Sequence, residues 1–320
     1  MRVSIICPAM ASDPRDMVPF AELVRDGHAQ RLWQGQSLSV ETHQLFAYLA
    51  GNGFRIPVGT SVVLMPLRHP LEAAVQARSL ARLTGNSMVL GLGPATPEFV
   101  AALHGEPYPS PRDACVRYVE EVRRLLRAGE PDTRDDDVPA AVTLPGFGHP
   151  GVEIGLGVLR PVLARAAGRV ADVAISWMTP PGYVRDVLVP ALGKGAAEAG
   201  RPVPRLVTVV HAALAGPDRN PYRLAFRGAG AHLAAPHYTD MLRRAGLRVH
   251  PAQPNLGARA LVDSGTFLHG TAAEVAEGLA EYGRAGVDEV VLNLAGLAAE
   301  HGYDAAARDL AEILAATAGS

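Results

Sequence analysis

Residues 56–93 read IPVGTSVVLMPLRHPLEAAVQARSLARLTGNSMVLGLG and contain a complete strand–helix–strand unit. An apolar run at Ile56–Val63 is followed by an amphipathic segment at Pro70–Thr84 and by a second apolar run at Met88–Leu92. Short, continuous apolar runs are typical of strands that are buried on both faces of a parallel sheet. Pro70 also stands where the first turn of a helix tolerates proline. This stretch therefore predicts a parallel β/α unit.

The same alternation of strand and helix extends over the whole chain. Longer segments, most of them amphipathic, separate eight apolar runs, which are Val3–Cys7, Ala29–Trp33, Ile56–Val63, Met88–Leu92, Val152–Leu156, Val173–Trp177, Leu206–Ala213 and Glu289–Leu294. Eight parallel strands with crossover helices close naturally into a (β/α)8 TIM barrel. We therefore predict an α/β protein with one barrel domain over residues 1–320. The alternative, an open doubly wound sheet, usually has a glycine-rich turn after its first strand, and this chain has no glycine there.

Two stretches exceed what a minimal barrel needs. Residues 128–151 contain an acidic run and several prolines, and residues 215–268 form a long connection. Within the second stretch, the pattern predicts a helix at Pro221–Gly246 and then a loop at Pro251–Gly265. We interpret both stretches as insertions at the C-terminal face of the barrel, where long connections often form lids or substrate walls.

The composition excludes several classes of partner. The formal net charge is −2, so the chain has no basic field that would bind nucleic acid or an anionic membrane. No apolar stretch approaches the roughly 18 residues that span a membrane, and the first apolar run is too short for a signal peptide. We therefore expect a cytoplasmic protein. The chain also lacks the usual zinc-binding motifs, so we expect no metal site.

Three blocks of sequence, in the right order, resemble a known family. The first runs from Gly59 through the Arg68-His69-Pro70 turn to Gly93, the second from Ile154 to Ser176, and the third from His269 to Val291. Together they resemble the bacterial luciferase-like family of flavin- and deazaflavin-dependent oxidoreductases, and most of all its deazaflavin branch. The resemblance implies hydride transfer between coenzyme F-420, or FMN as the alternative, and a small organic substrate. It also implies a homodimer.

The resemblance further implies where the cofactor binds. A non-prolyl cis peptide, matching Ser61–Val62, would back the ring system, and Gly155–Val158 would hold the phosphate. We interpret these glycines as opening a helix, whose free N–H groups and dipole favour anions. The full set of expected cofactor-binding residues is Thr60, Ser61, Val62, Gly93, Pro94, Ala95, Gly155, Leu156, Gly157, Val158, Ser176 and Trp177, and Thr179 would add a hydroxyl.

Catalytic groups are less evident than cofactor-binding ones. Sugar dehydrogenases of the family carry an acid–histidine pair after the second strand, where this chain offers Gln34 and Gln36, with His43 further on. The acid that follows the fourth strand in those enzymes corresponds here to Thr96, which argues against a sugar-phosphate substrate. The catalytic candidates are therefore Gln36, His43 and His211, the last on a strand whose side chains would point into the barrel.

Other histidines have simpler interpretations. His69 is expected to be a structural turn residue. His232 and His237 are five residues apart, which is a poor spacing for two ligands on one helix face.

Three further functions remain open. The first is an FMN-dependent monooxygenase on the same barrel. The second is an unrelated barrel lyase or isomerase that binds a phosphorylated metabolite at Gly155–Val158; a Schiff-base version would need a lysine at a strand end, but Lys194 is in a predicted helix. The third is a non-catalytic flavin-binding homologue.

Overall fold

Eight parallel strands close into a barrel in the computed structural model, which describes residues 1–127 and 144–318. The strands of the described residues are β1 (Arg2–Ile6), β2 (Leu32–Gln34), β3 (Val58–Thr60), β4 (Val63–Leu64), β5 (Met88–Gly93), β6 (Val152–Gly157), β7 (Val173–Trp177), β8 (Arg205–Leu214), β9 (Leu268–Gly270) and β10 (Glu289–Asn293). The barrel order is β1-β2-β3-β5-β6-β7-β8-β10, and β10 pairs in parallel with both β8 and β1. The predicted (β/α)8 TIM barrel is confirmed, and the open-sheet alternative is wrong.

The helices of the described residues surround this barrel. They are α1 (Val18–Arg25), α2 (Thr42–Gly51), α3 (Pro70–Thr84), α4 (Pro97–His104), α5 (Pro111–Arg127), α6 (Pro161–Val170), α7 (Pro181–Tyr183), α8 (Val189–Glu198), α9 (Pro221–Leu233), α10 (Pro236–Arg244), α11 (Pro254–Asp263), α12 (Ala272–Arg284), α13 (Ala295–His301) and α14 (Tyr303–Ala318). None of these helices is both long and apolar enough to cross a membrane.

The barrel interior is filled by side chains that alternate along the strands. A small apolar cluster occupies it, formed by Ile6, Trp33, Val89, Val173, Ile175, Val207, Val209 and Val291. Near the N-terminal ends of the strands lies the fully buried carboxylate of Glu289. It accepts hydrogen bonds from the hydroxyl of Ser4 at 2.7 Å and from the indole N–H of Trp33 at 2.8 Å. The half of the barrel at the N-terminal ends of the strands is therefore a packed core, and the barrel opens at the C-terminal ends of the strands.

The insertion at residues 215–268 departs from its predicted structure in two ways. The helix expected at Pro221–Gly246 is two helices, α9 and α10, which are separated just before Pro236. Proline at a first helical position starts a new helix there. The loop expected at Pro251–Gly265 is also wrong, because α11 occupies Pro254–Asp263. The first insertion, residues 128–151, lies largely outside the described residues. The assignment of one domain with two insertions stays a prediction.

Candidate active site

One large cavity opens at the C-terminal ends of β3, β5, β6 and β7. Its volume is about 920 Å³, which is typical of sites for cofactor-sized ligands. Its wall combines strand-end residues, the first residues of three helices, and part of α10. The residues that line it include Ser61, Val62, Gly93, Pro94, Ala95, Thr96, Ser110, Arg112, Gly157, Val158, Arg160, Ile175, Trp177, His237, Tyr238 and Arg244.

Val62 forms the apolar centre of the cavity wall. The Ser61–Val62 peptide bond is cis, as the family resemblance implies. Val62 packs against two glycines on neighbouring strands. A Cβ atom added at Gly93 would lie 2.5 Å from Cγ2 of Val62, and one added at Gly157 would lie 3.4 Å from its Cγ1. Glycine at position 93 is therefore what allows Val62 to occupy this place.

The predicted cofactor-binding residues divide into two groups. Eight of them line the cavity: Ser61, Val62, Gly93, Pro94, Ala95, Gly157, Val158 and Trp177. The other four, Thr60, Gly155, Leu156 and Ser176, do not line it.

Each of those four residues makes its contacts within the barrel instead. The hydroxyl of Thr60 exchanges hydrogen bonds with the backbone of Gly91, and the hydroxyl of Ser176 donates to Thr208 at 2.8 Å. Gly155 packs against Ile175, and Leu156 is fully buried in the core. Thr179, expected to add a hydroxyl, instead donates to the carbonyl of Trp177 at 3.3 Å.

The start of α6 differs from its prediction. The glycines at 155 and 157 do not open a helix, because they lie within β6 and the helix begins at Pro161. The N-cap residue Arg160 makes no side-chain capping hydrogen bond, so the first N–H groups of α6 have no side-chain cap. Residues 160–163 all line the cavity. The helix therefore begins four residues after Gly157, and not at the glycines as predicted.

Three helices begin in the wall of the cavity. Besides α6, the cavity is lined by Thr96 and Pro97 at the start of α4 and by Ser110 and Pro111 at the start of α5. Helix N-termini carry partial positive charge and unpaired N–H groups, and both favour bound anions. The part of the wall around these helix starts therefore suits a phosphate or carboxylate group, a feature that no single sequence motif could reveal.

Three arginine side chains also line the cavity, and each is paired with a carboxylate, Arg112 with that of Asp113 at 2.7 Å. Arg112, Arg160 and Arg244 all line the cavity and are exposed at its rim. Arg160 and Arg244 share the carboxylate of Asp240, at 3.4 and 3.0 Å. His237 lies beside them, and burial together with the positive charge of Arg160 lowers the pKa of this histidine. The side chain of His237 is therefore held toward its neutral form.

The three catalytic candidates lie outside the cavity lining. Gln36 is engaged with backbone: its Oε1 accepts from the N–H of Leu64 at 3.1 Å, and its Nε2 donates to the carbonyl of Ser37 at 2.9 Å. His43 is buried, and its Nδ1 is 2.8 Å from the carboxylate of Glu41. His211 is also buried, next to the ring of Trp177. Their functional roles stay predictions.

An acid–histidine pair is nevertheless present after the second strand. The sequence analysis does not consider Glu41, which stands two residues before His43, and the two side chains meet at the start of α2. The guanidinium of Arg68 also donates a hydrogen bond to the carboxylate of Glu41, at 3.2 Å. Burial would raise the pKa of Glu41, but hydrogen bonds from His43 and the charge of Arg68 outweigh it and lower that pKa to about 2. The carboxylate therefore stays charged at neutral pH.

His69 has the structural role that the sequence predicts, whereas His232 and His237 do not share a helix. His69 caps α3 by accepting a hydrogen bond from the N–H of Leu71, as expected of a structural turn residue. His232 and His237 are not on one helix, since they belong to α9 and α10. In the ranges 1–127 and 144–318, no group of three or more His, Cys, Asp or Glu side chains is arranged to hold a metal ion.

Known proteins resemble this chain in both sequence and fold. A putative coenzyme F-420-dependent oxidoreductase of Mycobacterium tuberculosis is 24% identical over 123 residues, which cover 38% of this chain and 35% of that protein. The chain therefore matches only about a third of the length of that relative. An F-420-dependent secondary alcohol dehydrogenase, solved with an F-420–acetone adduct, has a TM-score of 0.72 at 16% identity, with 98% of each chain covered.

A monooxygenase from Streptomyces bottropensis is equally similar in structure. It has a TM-score of 0.72 at 18% identity, and the alignment covers 100% of this chain and 99% of that one. At these identities the structural matches show a shared fold. The model of the family described as luciferase-like monooxygenase matches residues 1–289, which is most of the chain. This protein therefore belongs to the luciferase-like monooxygenase family.

Proposed function

We propose that this protein is an oxidoreductase that transfers hydride between coenzyme F-420 and a small organic substrate. One observation carries the proposal: a single cavity joins an apolar wall, formed by Val62, Ile175 and Trp177, to the charged end, which is the part of its wall where three helices begin. A flat redox ring with a phosphorylated side chain has the same two halves. The proposal agrees with the named activity of the F-420-dependent relatives.

The apolar wall offers a polar contact as well. The hydroxyl of Ser61 is buried, lines the cavity and has no hydrogen-bond partner among the described residues. Buried hydroxyls are rarely left unpaired, so a partner from outside the chain is expected. A carbonyl or ring nitrogen at the edge of a flavin-type ring would supply it. Val62 would then support the face of the ring while Ser61 fixes its edge.

The charged end favours F-420 over FMN. FMN ends in one phosphate, whereas F-420 continues from a phosphodiester into an acidic tail. Three arginines and three helix starts line the cavity, and the arginines are paired with Asp113 and Asp240; a tail with several negative charges offers them more partners than one phosphate does. Because Arg160 and Arg244 lie at the exposed rim, a tail would leave the cavity along them without being enclosed.

The residues of this chain would bind and orient rather than react. When bound, F-420 would supply the ring carbon that gives or accepts hydride, which is the difficult chemistry. The wall around Val62 and Trp177 would exclude water from one ring face and fix the distance to a substrate. Burial keeps the pKa of the Tyr238 hydroxyl well above its usual range. This hydroxyl therefore stays protonated at neutral pH and is suited to donate a hydrogen bond at the cavity wall.

FMN-dependent monooxygenation is the second candidate. It is favoured by the family model and by the equal structural similarity of the Streptomyces bottropensis monooxygenase. A Schiff-base lyase has no support, because Lys194, the one lysine of the sequence, is exposed on α8 and does not line the cavity.

Cofactor titrations test the proposal. The purified protein is titrated separately with F-420, with FMN, and with the F-420 chromophore that lacks phosphate and tail, and binding is followed by absorbance and fluorescence. We expect F-420 to bind most tightly. Tighter binding of FMN would favour the monooxygenase, and binding of neither would refute the proposal.

Arginine variants make the titration specific to the charged end. Arg160→Ala should weaken F-420 binding by roughly 10- to 100-fold, the effect of losing one or two charge-assisted hydrogen bonds. The same change should leave binding of the bare chromophore unaltered. Arg25→Ala, an exposed arginine at the end of α1, is the matched control and should bind all three ligands as the parent protein does. An equal loss for F-420 and the bare chromophore would contradict the assignment of this end to phosphate.

A further inference from the structure

One carboxylate is shared by two of the arginines that line the cavity. Oδ2 of Asp240 accepts a hydrogen bond from Nη1 of Arg160 at 3.4 Å and another from Nε of Arg244 at 3.0 Å. Both guanidiniums line the cavity, and their side chains are 52% and 55% exposed, so a ligand can reach them. Asp240 itself does not line the cavity. The three residues form a charged trio that joins α10 to the start of α6.

All three members of the trio are charged at neutral pH. Burial alone would raise the pKa of Asp240, but the hydrogen bond from Arg244 and the charges of Arg244 and Arg160 outweigh it and lower that pKa. Arginine stays protonated in proteins. The trio therefore carries two positive charges and one negative charge, which leaves a net charge of +1 (two minus one).

The neighbouring groups leave this balance unchanged. His237 is neutral, because burial and the charge of Arg160 lower its pKa. Arg243 lies within electrostatic reach of Asp240, and Glu98 within reach of His237. These two side chains have opposite charges, and neither lines the cavity. A ligand at the trio therefore meets a net charge of about +1 rather than the +2 of two free arginines.

The trio keeps donors available for such a ligand. A guanidinium has five N–H groups, and one on each arginine is hydrogen-bonded to Asp240. An anion can bind to the others, but it is then repelled by the carboxylate of Asp240. Repulsion over roughly 6 Å weakens the binding of one negative charge about threefold, and that of two charges about tenfold, even in water-like surroundings. Asp240 thus opposes a ligand in proportion to its charge.

We propose that Asp240 is a specificity-determining residue, which favours singly charged groups at the charged end over a doubly charged phosphate monoester. A phosphodiester has one negative charge, whereas a monoester has nearly two at neutral pH. The same difference separates F-420 from FMN. That Asp240 selects between these cofactors rests on the proposed function, whereas the charge preference itself does not.

A matched pair of small ligands tests this preference. Phenyl phosphate has two negative charges near pH 8, and methyl phenyl phosphate has the same ring and one charge. Each is titrated into the protein without cofactor, and binding is followed by phosphorus NMR. We expect both to bind in the millimolar range, as is usual for ligands of few atoms. Asp240→Asn keeps the shape of the side chain and removes its charge. It should bind the monoester about tenfold more tightly and the diester about threefold more tightly.

Three further variants separate charge from structure. Asp240→Glu keeps the charge and should rank the two ligands as the parent protein does. Asp26→Asn removes another carboxylate that is paired with an arginine, at the end of α1, and should bind both ligands normally. Arg160→Gln changes the charge of the trio in the opposite direction and should weaken the monoester more than the diester. It also keeps the proposal testable should Asp240→Asn fail to fold. Each of these differences should shrink as ionic strength rises.

Four results would overturn the proposal. They are a parent protein that binds the monoester more than about tenfold more tightly than the diester, an Asp240→Asn variant with no gain, an equal gain for both ligands, and no binding of either ligand by any of the proteins. No flavin takes part in this experiment. F-420 could still bind best in the cofactor titrations if Asp240 had no effect, and a protein that bound neither cofactor could still show the charge preference.

Discussion

The backbone N–H of Gln36 donates a hydrogen bond to the carbonyl oxygen of Val62 over 3.0 Å. The side chain of the same residue accepts from the N–H of Leu64 at 3.1 Å. Gln36 therefore holds the chain on both sides of Val63, next to the apolar centre of the cavity wall. We interpret Gln36, a catalytic candidate from the sequence, as a residue that positions Val62.

Replacing Gln36 should loosen that wall. Gln36→Leu removes the acceptor for Leu64 and should weaken cofactor binding by about fivefold, the effect of one lost hydrogen bond. Gln36→Glu keeps the acceptor and should bind nearly as the parent protein does. Fluorescence titration measures both affinities. Identical binding by the leucine variant would show that this side chain does not position Val62.

Two glycines on β5 should respond differently to alanine. At Gly93 the new Cβ atom would lie 2.5 Å from a methyl group of Val62, so a side chain must move. We expect a small loss of stability and a clear loss of cofactor affinity. At Gly91 the new atom would collide with the carbonyl oxygen of Thr60, which is backbone. That variant should lose about 3 kcal/mol or more in the free energy of unfolding.

Urea unfolding and cofactor titration separate the two glycine effects. Gly193→Ala on α8, where nothing lies within 4 Å of the added atom, is the control and should be as stable as the parent or slightly more so. Equal effects at Gly91 and Gly93 would contradict the close packing described for β5.

Acid should weaken the attachment of α2 through Glu41. The pKa of this carboxyl falls from 4.5 to about 2 in the folded protein. A carboxyl with a lowered folded pKa stabilises the protein above its unfolded pKa, and this contribution disappears as the pH falls toward the folded value. We therefore expect the melting temperature of Glu41→Gln to lie below that of the parent at pH 6 and to approach it between about pH 4.5 and 2. The exposed Glu106→Gln is the control. A constant difference across this range would exclude the ion pair as the cause.

The buried carboxylate of Glu289 should be essential for stability rather than for cofactor binding. Glu289→Ala leaves the hydroxyl of Ser4 and the indole N–H of Trp33 without their acceptor, and Arg205 loses a carboxylate at 3.3 Å. Breaking a buried charged network typically costs about 3–5 kcal/mol. Urea unfolding measures the loss. Glu153→Ala removes the other, half-exposed partner of Arg205 and should cost far less.

The sequence predicts the barrel well because its signal is local. Each strand is a short apolar run, and each helix that follows has its own start signals, as at Pro70 and at the capping box of Thr271 and Glu274. Residues at strand ends, such as Ser61 and Gly93, could be placed at the mouth for the same reason. The resemblance to a family then supplied their expected role.

The charged half of the cavity could not be predicted in the same way. Arg112 and Arg160 are 48 residues apart (160 minus 112), and they share one cavity only because α5 and α6 begin beside each other at the barrel mouth. The charged trio of Arg160, Asp240 and Arg244 likewise needs α10 to lie beside the start of α6. Pro236 marks the start of a new helix after α9, whereas the continuous polar–apolar pattern of this stretch predicts a single helix.

The short pairing of β8 with β9 has a consequence for how such enzymes diversify. Ala212–Leu214 lie alongside Leu268–Gly270, and the N–H of Ala215 donates to the carbonyl of Gly270 at 2.7 Å. The fifty-odd residues between them (residues 216–267) therefore leave and re-enter the barrel side by side, and Arg219, Arg223 and Arg227 near their start also pair with Asp309 and Glu300 of the last two helices. Exchanging residues 216–267 for another segment would change the entropy cost of loop closure only slightly, because the two ends already lie side by side. The eight barrel strands would stay as they are. Because α10 of this segment supplies His237, Tyr238 and Arg244 to the cavity, replacing the segment would change part of the cavity wall without changing the barrel strands.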